Sequence, residues 1–152
     1  MCLSYDGIGD KSSGKLAVGI GRDIEILETI EVSQSLGNFY SAMTAYLGFK
    51  PVEDEYKVMG LASYGEESVD LSEMVAVSED SFTINSAFFR DLQNIISNDQ
   101  PLYSEKLVEL LGPPRLNGSE IDESHIKVAY SSQKTLEQCI LALVTRLHKK
   151  TG

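Results

Sequence analysis

What this chain lacks excludes several classes of protein. It has only two cysteines, Cys2 and Cys139, and they lie far apart, so their spacing fits neither a redox motif nor a zinc site. No apolar run approaches the roughly 20 residues that cross a bilayer. The N-terminus also lacks the basic and then apolar segments of a secretory signal. We therefore expect a cytoplasmic protein without membrane contact, in which both cysteines are small buried residues.

Positive charge is scarce as well. The 152 residues include 13 Lys and Arg against 23 Asp and Glu, which gives a formal net charge of −10 at pH 7. Nucleic acids and anionic membranes are bound through an excess of basic residues, so neither is an expected partner. The same charge repels phosphate compounds. A phosphate site in this chain would therefore need local backbone N–H groups, a lysine or a metal cation.

The first part of the sequence has the pattern of a β-meander. Apolar residues recur at every second position between short turns that are rich in Gly and Asp, which is typical of strands with one apolar face. The alternation predicts strands over 2–5, 16–20 and 24–32. Three such strands with short connections form an antiparallel meander, which we assign to residues 1–33.

Residues 34–152 are predicted to be mainly helical. Ser35 is placed to cap a helix that Gly48 ends, and the last helix is the longest. A brief strand is predicted at Thr83 and Ile84. The helical periods predict helices over 36–47, 53–62, 85–96, 104–111 and 124–149. The apolar stripes of the first and last helices comprise Leu36, Tyr40, Met43 and Leu47, and Ile126, Tyr130, Gln133, Leu136, Ile140, Leu143 and Leu147.

Strands followed by helices, without regular βαβ alternation, predict an α+β or mixed α/β fold. A chain of this length predicts a single domain over 1–152. Because the sequence begins inside its first strand and stops as its last helix ends, we expect a fragment of a larger domain. Exposed apolar surface on the last helix would then favour self-association into a homo-oligomer.

The segment Asp6-Gly7-Ile8-Gly9-Asp10 lies between two predicted strands and has two interpretations. Glycines allow backbone N–H groups to converge on an anion, and a carboxylate at a strand end can hold a metal that bridges phosphates. The same residues are also the commonest ones in a hairpin turn. The segment lacks the Lys-Ser/Thr of a P-loop and does not open a helix, so composition alone favours the turn.

A second candidate site lies at the start of the second helix, where acidic residues precede Lys57. Acidic residues in a first helical turn are favoured by the helix dipole, so a solvated helix start explains them without any function. Lys57 precedes an apolar run and could reach a phosphate or a carboxylate. The two histidines, His125 and His148, are predicted to be exposed residues about 35 Å apart at the two ends of one helix. Core positions with a polar tip are expected for Tyr40, Tyr46, Tyr56 and Tyr64.

Three segments taken together resemble the ordered motifs of the NodU/CmcH-type O-carbamoyltransferase family. They are CLSYDGIGD at 2–10, SLGNFYSAMTAYLGF at 35–49 and DEYKVMGLASYG at 54–65. In that family a strand ends in DGxGE, an SLGxxY helix follows, and a GExKVMGLAxYG segment comes next. The segment 126–148, with Gln133, also resembles the long helix that precedes the GGxxxN nucleotide loop of the family.

The resemblance implies part of an actin-like ATPase (ribonuclease-H-like) fold. It also implies an enzyme that forms carbamoyl-adenylate from carbamoyl phosphate and ATP and transfers the carbamoyl group to a hydroxyl of a small-molecule acceptor. Matched residue by residue, Asp6 is expected to bind a divalent metal ion, iron or magnesium. The residues expected to bind nucleotide or phosphate are Gly7, Gly9, Asp10, Glu55 and Lys57.

The sequence departs from the family pattern in several places. Asp10 replaces a glutamate, Asp54 replaces the glycine of GExK, and Ser63 replaces a proline. The HxxxH metal motif and the GGxxxN loop lie outside these residues, so we expect the chain to be inactive on its own. Two alternatives stay open: an actin-like module that serves protein interaction without catalysis, and a lobe of a sugar-kinase-like phosphotransferase.

Overall fold

The structure is a computed structural model that describes residues 1–9, 11–90 and 100–152. It confirms a mixed α and β architecture with antiparallel sheets. The strands are β1 (Cys2–Tyr5), β2 (Gly14–Ile20), β3 (Asp23–Ile30), β4 (Val75–Val77) and β5 (Phe82–Ile84). The helices are α1 (Leu36–Tyr46), α2 (Glu55–Ala62), α3 (Glu105–Leu111) and α4 (Glu123–Thr151). Short 3-10 turns lie at Val32–Gln34 and Ser86–Phe88.

The predicted meander is confirmed. Strands β1, β2 and β3 form one antiparallel sheet in that order, with Tyr5 opposite Gly14 and Ile20 opposite Asp23. The β2–β3 connection is tight because Gly21 adopts a φ of 64°, which a two-residue hairpin turn with Gly at its first position requires. The connection between β1 and β2 is longer and contains the Asp6–Gly9 loop.

Helix α1 forms the centre of the core, as its stripe predicts. Leu36, Tyr40, Met43 and Leu47 are all buried. Ser35 caps the helix by accepting a hydrogen bond from the Asn38 N–H at 3.0 Å. Gly48 follows with a φ of 71°, and a Cβ at this position would lie 2.6 Å from the Arg115 carbonyl oxygen. Only glycine therefore fits the end of this helix.

The predicted stripe of the long helix α4 is only partly correct. Leu143 and Leu147 are buried, but the five residues before them in the stripe are half-buried. The buried residues of this helix are mostly small: Val128, Ala129, Ser131, Ser132, Cys139 and Ala142. The buried face is therefore rotated toward the small residues. Tyr130 stays half-buried and packs on Gly65, where a Cβ would lie only 2.5 Å from the Tyr130 Cβ.

Other predictions fail for identifiable reasons. Cys2 is exposed because its strand lies at the sheet edge, whereas Cys139 is buried as expected. Tyr56 and Tyr64 are exposed, unlike the buried Tyr40 and Tyr46, because they lie on the outer side of α2 and just beyond its end.

The region predicted as the start of a helix over 85–96 is a short 3-10 turn instead. The Asn85 side chain accepts from the Ala87 N–H and starts a short 3-10 turn. Phe89 is then extended and pairs with Tyr103. The remainder of that prediction, 91–96, lies outside the described residues, as does Asp10. The β4–β5 hairpin is an addition to the mainly helical part, in which the sequence predicted only the second strand.

The prediction for the histidines is half correct. His148 is exposed near the end of α4. His125 is half-buried because it completes a capping box with Asp122, in which the Asp122 N–H donates to His125 Nδ1 at 3.1 Å. In the described ranges, no helix is both long enough and apolar enough to cross a bilayer.

The C-terminal end of α4 is fixed to both sheets by charged groups. Arg146 donates to the Asp80 carbonyl at 2.6 Å and forms a hydrogen-bonded ion pair with Glu28, which also pairs with Lys150 at 3.1 Å. Burial alone would raise the pKa of Glu28. The hydrogen bonds and charges of Lys150 and Arg146 outweigh burial and hold that pKa below its ordinary value.

We predict that this pair stabilises the fold in a pH-dependent way. Because the pKa of Glu28 is lowered on folding, its contribution is present above the unfolded pKa near 4.5 and disappears as the pH falls through the folded value. Glu28→Gln should therefore reduce the free energy of unfolding by about 1–2 kcal/mol at pH 7 and much less at pH 3. Denaturant unfolding at both pH values measures this. The control Glu67→Gln, in the exposed pair with Lys127, should change little; an equal loss in both variants would contradict the prediction.

Candidate functional site

The Asp6–Gly9 loop follows β1 and is closed by its own backbone. The Asp6 N–H donates to the Ser13 carbonyl at 2.6 Å, and the Gly9 N–H donates to the Ser12 carbonyl at 2.9 Å. The Gly7 N–H donates to the Asp6 carboxylate at 2.6 Å. The amides of both glycines thus form the turn in this structure. Phosphate binding by Gly7, Gly9 and the undescribed Asp10 stays a prediction.

The loop rests on the beginning of α1. The Ser35 hydroxyl lies 2.5 Å from the Gly7 carbonyl oxygen, to which it donates, while it accepts from Asn38 as the helix cap. Gly37 makes this contact possible: a Cβ at Gly37 would lie 2.5 Å from Gly7 Cα and 2.6 Å from Gly7 N. Any larger residue would collide with loop backbone. Contact with the Asp6–Gly9 loop therefore explains why the second motif has serine at position 35 and glycine at position 37.

Asp6 is the residue expected to bind a metal. It is exposed, and one of its oxygens is used by the Gly7 N–H. Within 1–9, 11–90 and 100–152, no group of three or more His, Cys, Asp and Glu side chains could hold a metal ion. Asp6 could thus supply one oxygen ligand, but the described residues do not complete a site. A metal-binding role for Asp6 stays a prediction.

Glu55 lies at the start of α2 and bonds to α1. Its Oε1 accepts from the Ser41 hydroxyl and from the Val52 N–H, both at 2.6 Å. Ser41 is four residues after Gly37, so the two lie on the same face of α1, one turn and about 6 Å apart along the axis. The structure therefore brings Glu55 to the same face of α1 as the Asp6–Gly9 loop.

The Glu55 carboxylate also holds an unusual backbone. Val52 has a φ of 70°, a conformation that costs a β-branched residue roughly 1–2 kcal/mol. Its side chain is exposed, so packing does not impose this conformation. The hydrogen bond from its N–H to Glu55 stabilises this conformation, and the Lys50 N–H bond to the Asp54 carboxylate at 3.0 Å closes the same turn between α1 and α2. Glu55 thus has a structural role that the sequence did not suggest.

Lys57 lies on a different side of α2. Two helical residues separated by one position diverge by about 200°, so Lys57 cannot share the face through which Glu55 contacts α1. Lys57 Nζ instead pairs with Asp54 at 2.8 Å. A hydrogen bond from Lys57 and one from the Lys50 N–H lower the pKa of Asp54, and the Asp54 bond raises the pKa of Lys57. Asp54 stands where the family motif has glycine. A sequence with glycine at this position could not form this ion pair.

A polar network missed by sequence reasoning connects α1 to α4. The Tyr40 hydroxyl donates to Gln133 Oε1 at 2.8 Å, and Gln133 Nε2 donates to Glu137 at 2.7 Å. Burial raises the pKa of Tyr40, and the nearby Glu137 and Glu55 carboxylates raise it further. The hydroxyl therefore stays protonated as a donor. The residue spacing within one segment does not predict the bond between the two helices, because Tyr40 and Gln133 are 93 residues apart in the sequence.

With this geometry established, comparison with known proteins identifies the chain. A family model described as "Carbamoyltransferase N-terminus" matches residues 1–152. The chain belongs to the carbamoyltransferase N-terminus family. The resemblance read from the three motifs is thereby confirmed.

The chain is similar to proteins from several organisms. It is 32% identical to an uncharacterized protein of Synechocystis sp. over 99% of this chain and 24% of that protein. It is 30% identical to an uncharacterized protein of Methanocaldococcus jannaschii over 97% of this chain and 27% of that one. It is 32% identical to the nodulation protein NolNO of Sinorhizobium fredii over 100% of this chain and 21% of that protein. The chain spans about a quarter of the length of these relatives.

We predict that the hydrogen bond with Asp54 raises the pKa of Lys57. Asp54→Asn removes the charge and the strong acceptor, so the pKa of Lys57 should fall toward its ordinary value. An NMR titration of the Lys57 side-chain methylene next to Nζ measures this directly. The matched control Glu53→Gln breaks the neighbouring exposed pair with Lys50 and should leave Lys57 unchanged. An unchanged pKa in Asp54→Asn would show that the pair does not persist in solution.

Proposed function

We propose that this chain is an internal fragment of an ATP-dependent O-carbamoyltransferase and belongs to the N-terminal domain of that enzyme. The observation that carries the proposal is the family match over all 152 residues. In the proposed reaction water cleaves carbamoyl phosphate to carbamate and inorganic phosphate, and a carbamate oxygen then bonds to the α-phosphorus of ATP as pyrophosphate leaves, which gives carbamoyl-adenylate. A hydroxyl oxygen of a small-molecule acceptor then bonds to the carbamoyl carbon as AMP leaves and the hydroxyl proton is lost. We expect this chemistry only in the longer polypeptide.

The proposed fold is part of an actin-like ATPase domain. Its support is the antiparallel β1–β2–β3 meander with an Asp-Gly-containing loop after the first strand, followed by helices of which α4 is the longest. The Asp6–Gly9 loop is the proposed phosphate side of the site. Its position on the N-terminal turn of α1 supports this, because helix N-termini favour negative charge and this chain has little positive charge elsewhere.

The proposed roles of Glu55 and Lys57 differ. Glu55 orients the start of α2 against α1 and so positions the segment that carries Lys57. Lys57 has an exposed amine and is the proposed partner of the nucleotide phosphates, for which it must leave Asp54. When bound, a divalent metal at Asp6 would offset phosphate charge. Because the described residues supply only one ligand, we derive no step through that metal.

The main alternative is a module without catalytic function. The Asp54–Lys57 pair favours it, since a lysine already neutralised by an adjacent carboxylate is less available to phosphate. The two proposals differ in a product: the enzyme releases pyrophosphate only when carbamoyl phosphate is present, and the module releases none. A sugar-kinase-like lobe would instead form ADP when a hydroxyl acceptor is added.

We predict that the full-length polypeptide releases pyrophosphate from ATP in a carbamoyl-phosphate-dependent way. Lys57→Met should lower kcat/KM for ATP by about tenfold or more, because a cation next to developing phosphate charge is lost. The control Lys15→Met removes an exposed lysine of β2 and should stay within about twofold. Pyrophosphate assays on the three proteins measure this. No pyrophosphate, with or without a hydroxyl acceptor, would refute the adenylation proposal.

A further inference from the structure

A cavity of about 360 Å³ lies beside the N-terminal turn of α1. Its apolar wall includes Phe39, Phe89 and Leu102, and its polar groups include Ser33, Asn38 and Ser86. The cavity is within the size range of pockets that bind small molecules. Mostly apolar walls with a few polar groups are typical of sites that orient a ligand by one polar end.

Asn38 joins this cavity to the Asp6–Gly9 loop. Its side chain lines the cavity, and a Cβ at Gly7 would lie 3.7 Å from Asn38 Oδ1. The backbone N–H of Asn38 is used by Ser35, but its carboxamide makes no hydrogen bond in the described part of the chain. A carboxamide offers both a donor and an acceptor, which is the pair that a hydroxyl can use. The polar end of the cavity thus adjoins the loop assigned to phosphate.

Most of the polar groups that line the cavity are uncharged. Of the described lining residues only Arg90 is cationic, and it donates to Gln100 and lies 3.6 Å from the Glu105 carboxylate. The remaining polar groups of the cavity are hydroxyls and an amide, which bind alcohols well but supply no charge to a phosphate. An alcohol with an apolar body therefore fits this lining.

We propose that this cavity binds the acceptor of the reaction, as an uncharged alcohol with an apolar ring or chain. Asn38 holds its hydroxyl next to the Asp6–Gly9 loop, and Phe39, Phe89 and Leu102 enclose its apolar body. This inference rests on the proposed function. It adds a substrate class and a location to it, and Asn38 becomes a specificity residue.

Benzyl alcohol is a suitable probe because it combines one hydroxyl with an apolar ring, and toluene is its matched analogue without the hydroxyl. Ligand-observed NMR with the full-length polypeptide should show that benzyl alcohol binds about five- to tenfold more tightly than toluene. Asn38→Leu should abolish this preference while retaining toluene binding. Equal binding of both probes to the unmodified protein would overturn the role of Asn38.

A second pair of variants tests the location. Ser86→Phe places a ring at the exposed rim of the cavity and should weaken benzyl alcohol binding about tenfold or more. The control Ser72→Phe makes the same change at an exposed position outside this cavity and should leave binding unchanged. Equal binding by both variants would show that the probe occupies another site.

The donor half-reaction separates this inference from the proposed function. Carbamoyl-phosphate-dependent pyrophosphate release should persist within about twofold in the control Ser72→Phe, and an unchanged thermal unfolding midpoint shows that Ser86→Phe is folded. Absence of that activity in the unmodified protein would refute the proposed function. The binding of benzyl alcohol would still test whether the cavity holds an alcohol, because that measurement does not depend on the activity. Benzyl alcohol that binds the 152-residue chain but not the full-length polypeptide would overturn the inference, because other parts of the polypeptide would then fill the cavity.

Discussion

The contact between the Asp6–Gly9 loop and the first turn of α1 determines the arrangement of the candidate site. Gly37 lets the two backbones meet, and Ser35 bonds to the loop and caps the helix at the same time. Since α1 is also the centre of the core, the loop is fixed relative to the hydrophobic interior. The position of Glu55 follows from the same helix, through Ser41 one turn further along. A short exposed loop thereby acquires a defined place without packing of its own.

Two carboxylates near the start of α2 have opposite consequences for the site. Glu55 maintains the turn at Val52 and aligns α2 with α1. Asp54 holds the Lys57 amine, the charged group that the family resemblance assigns to the nucleotide. An ion pair within the chain thus occupies one of the groups that the family resemblance expects to bind nucleotide. Whether Lys57 can be released decides between the catalytic proposal and the non-catalytic alternative.

The sequence predicted those features that depend on local pattern. Strand alternation located the meander, and Ser35 and Gly48 marked both ends of α1 because capping and positive φ are local requirements. Of the two three-residue strands β4 and β5, only β5 was predicted, and the pairing between them is a tertiary contact. The buried face of α4 was misplaced because most of its fully buried positions carry small residues, which a search for large apolar residues at helical spacing does not detect. The divergence of Glu55 and Lys57 follows from helical geometry, but which of them faces α1 depends on tertiary contacts.

The most direct test of this account compares two helical glycines. Gly37→Ala places a methyl group against the Gly7 backbone, whereas Gly60→Ala adds one where nothing lies within 4 Å. Denaturant unfolding should show that Gly37→Ala loses about 1–3 kcal/mol, with shifts of the Gly7 amide resonance. Gly60→Ala should be neutral or gain up to about 1 kcal/mol, since alanine favours helices. Equal stability of the two variants, with an unshifted Gly7 amide, would contradict the contact on which the site depends.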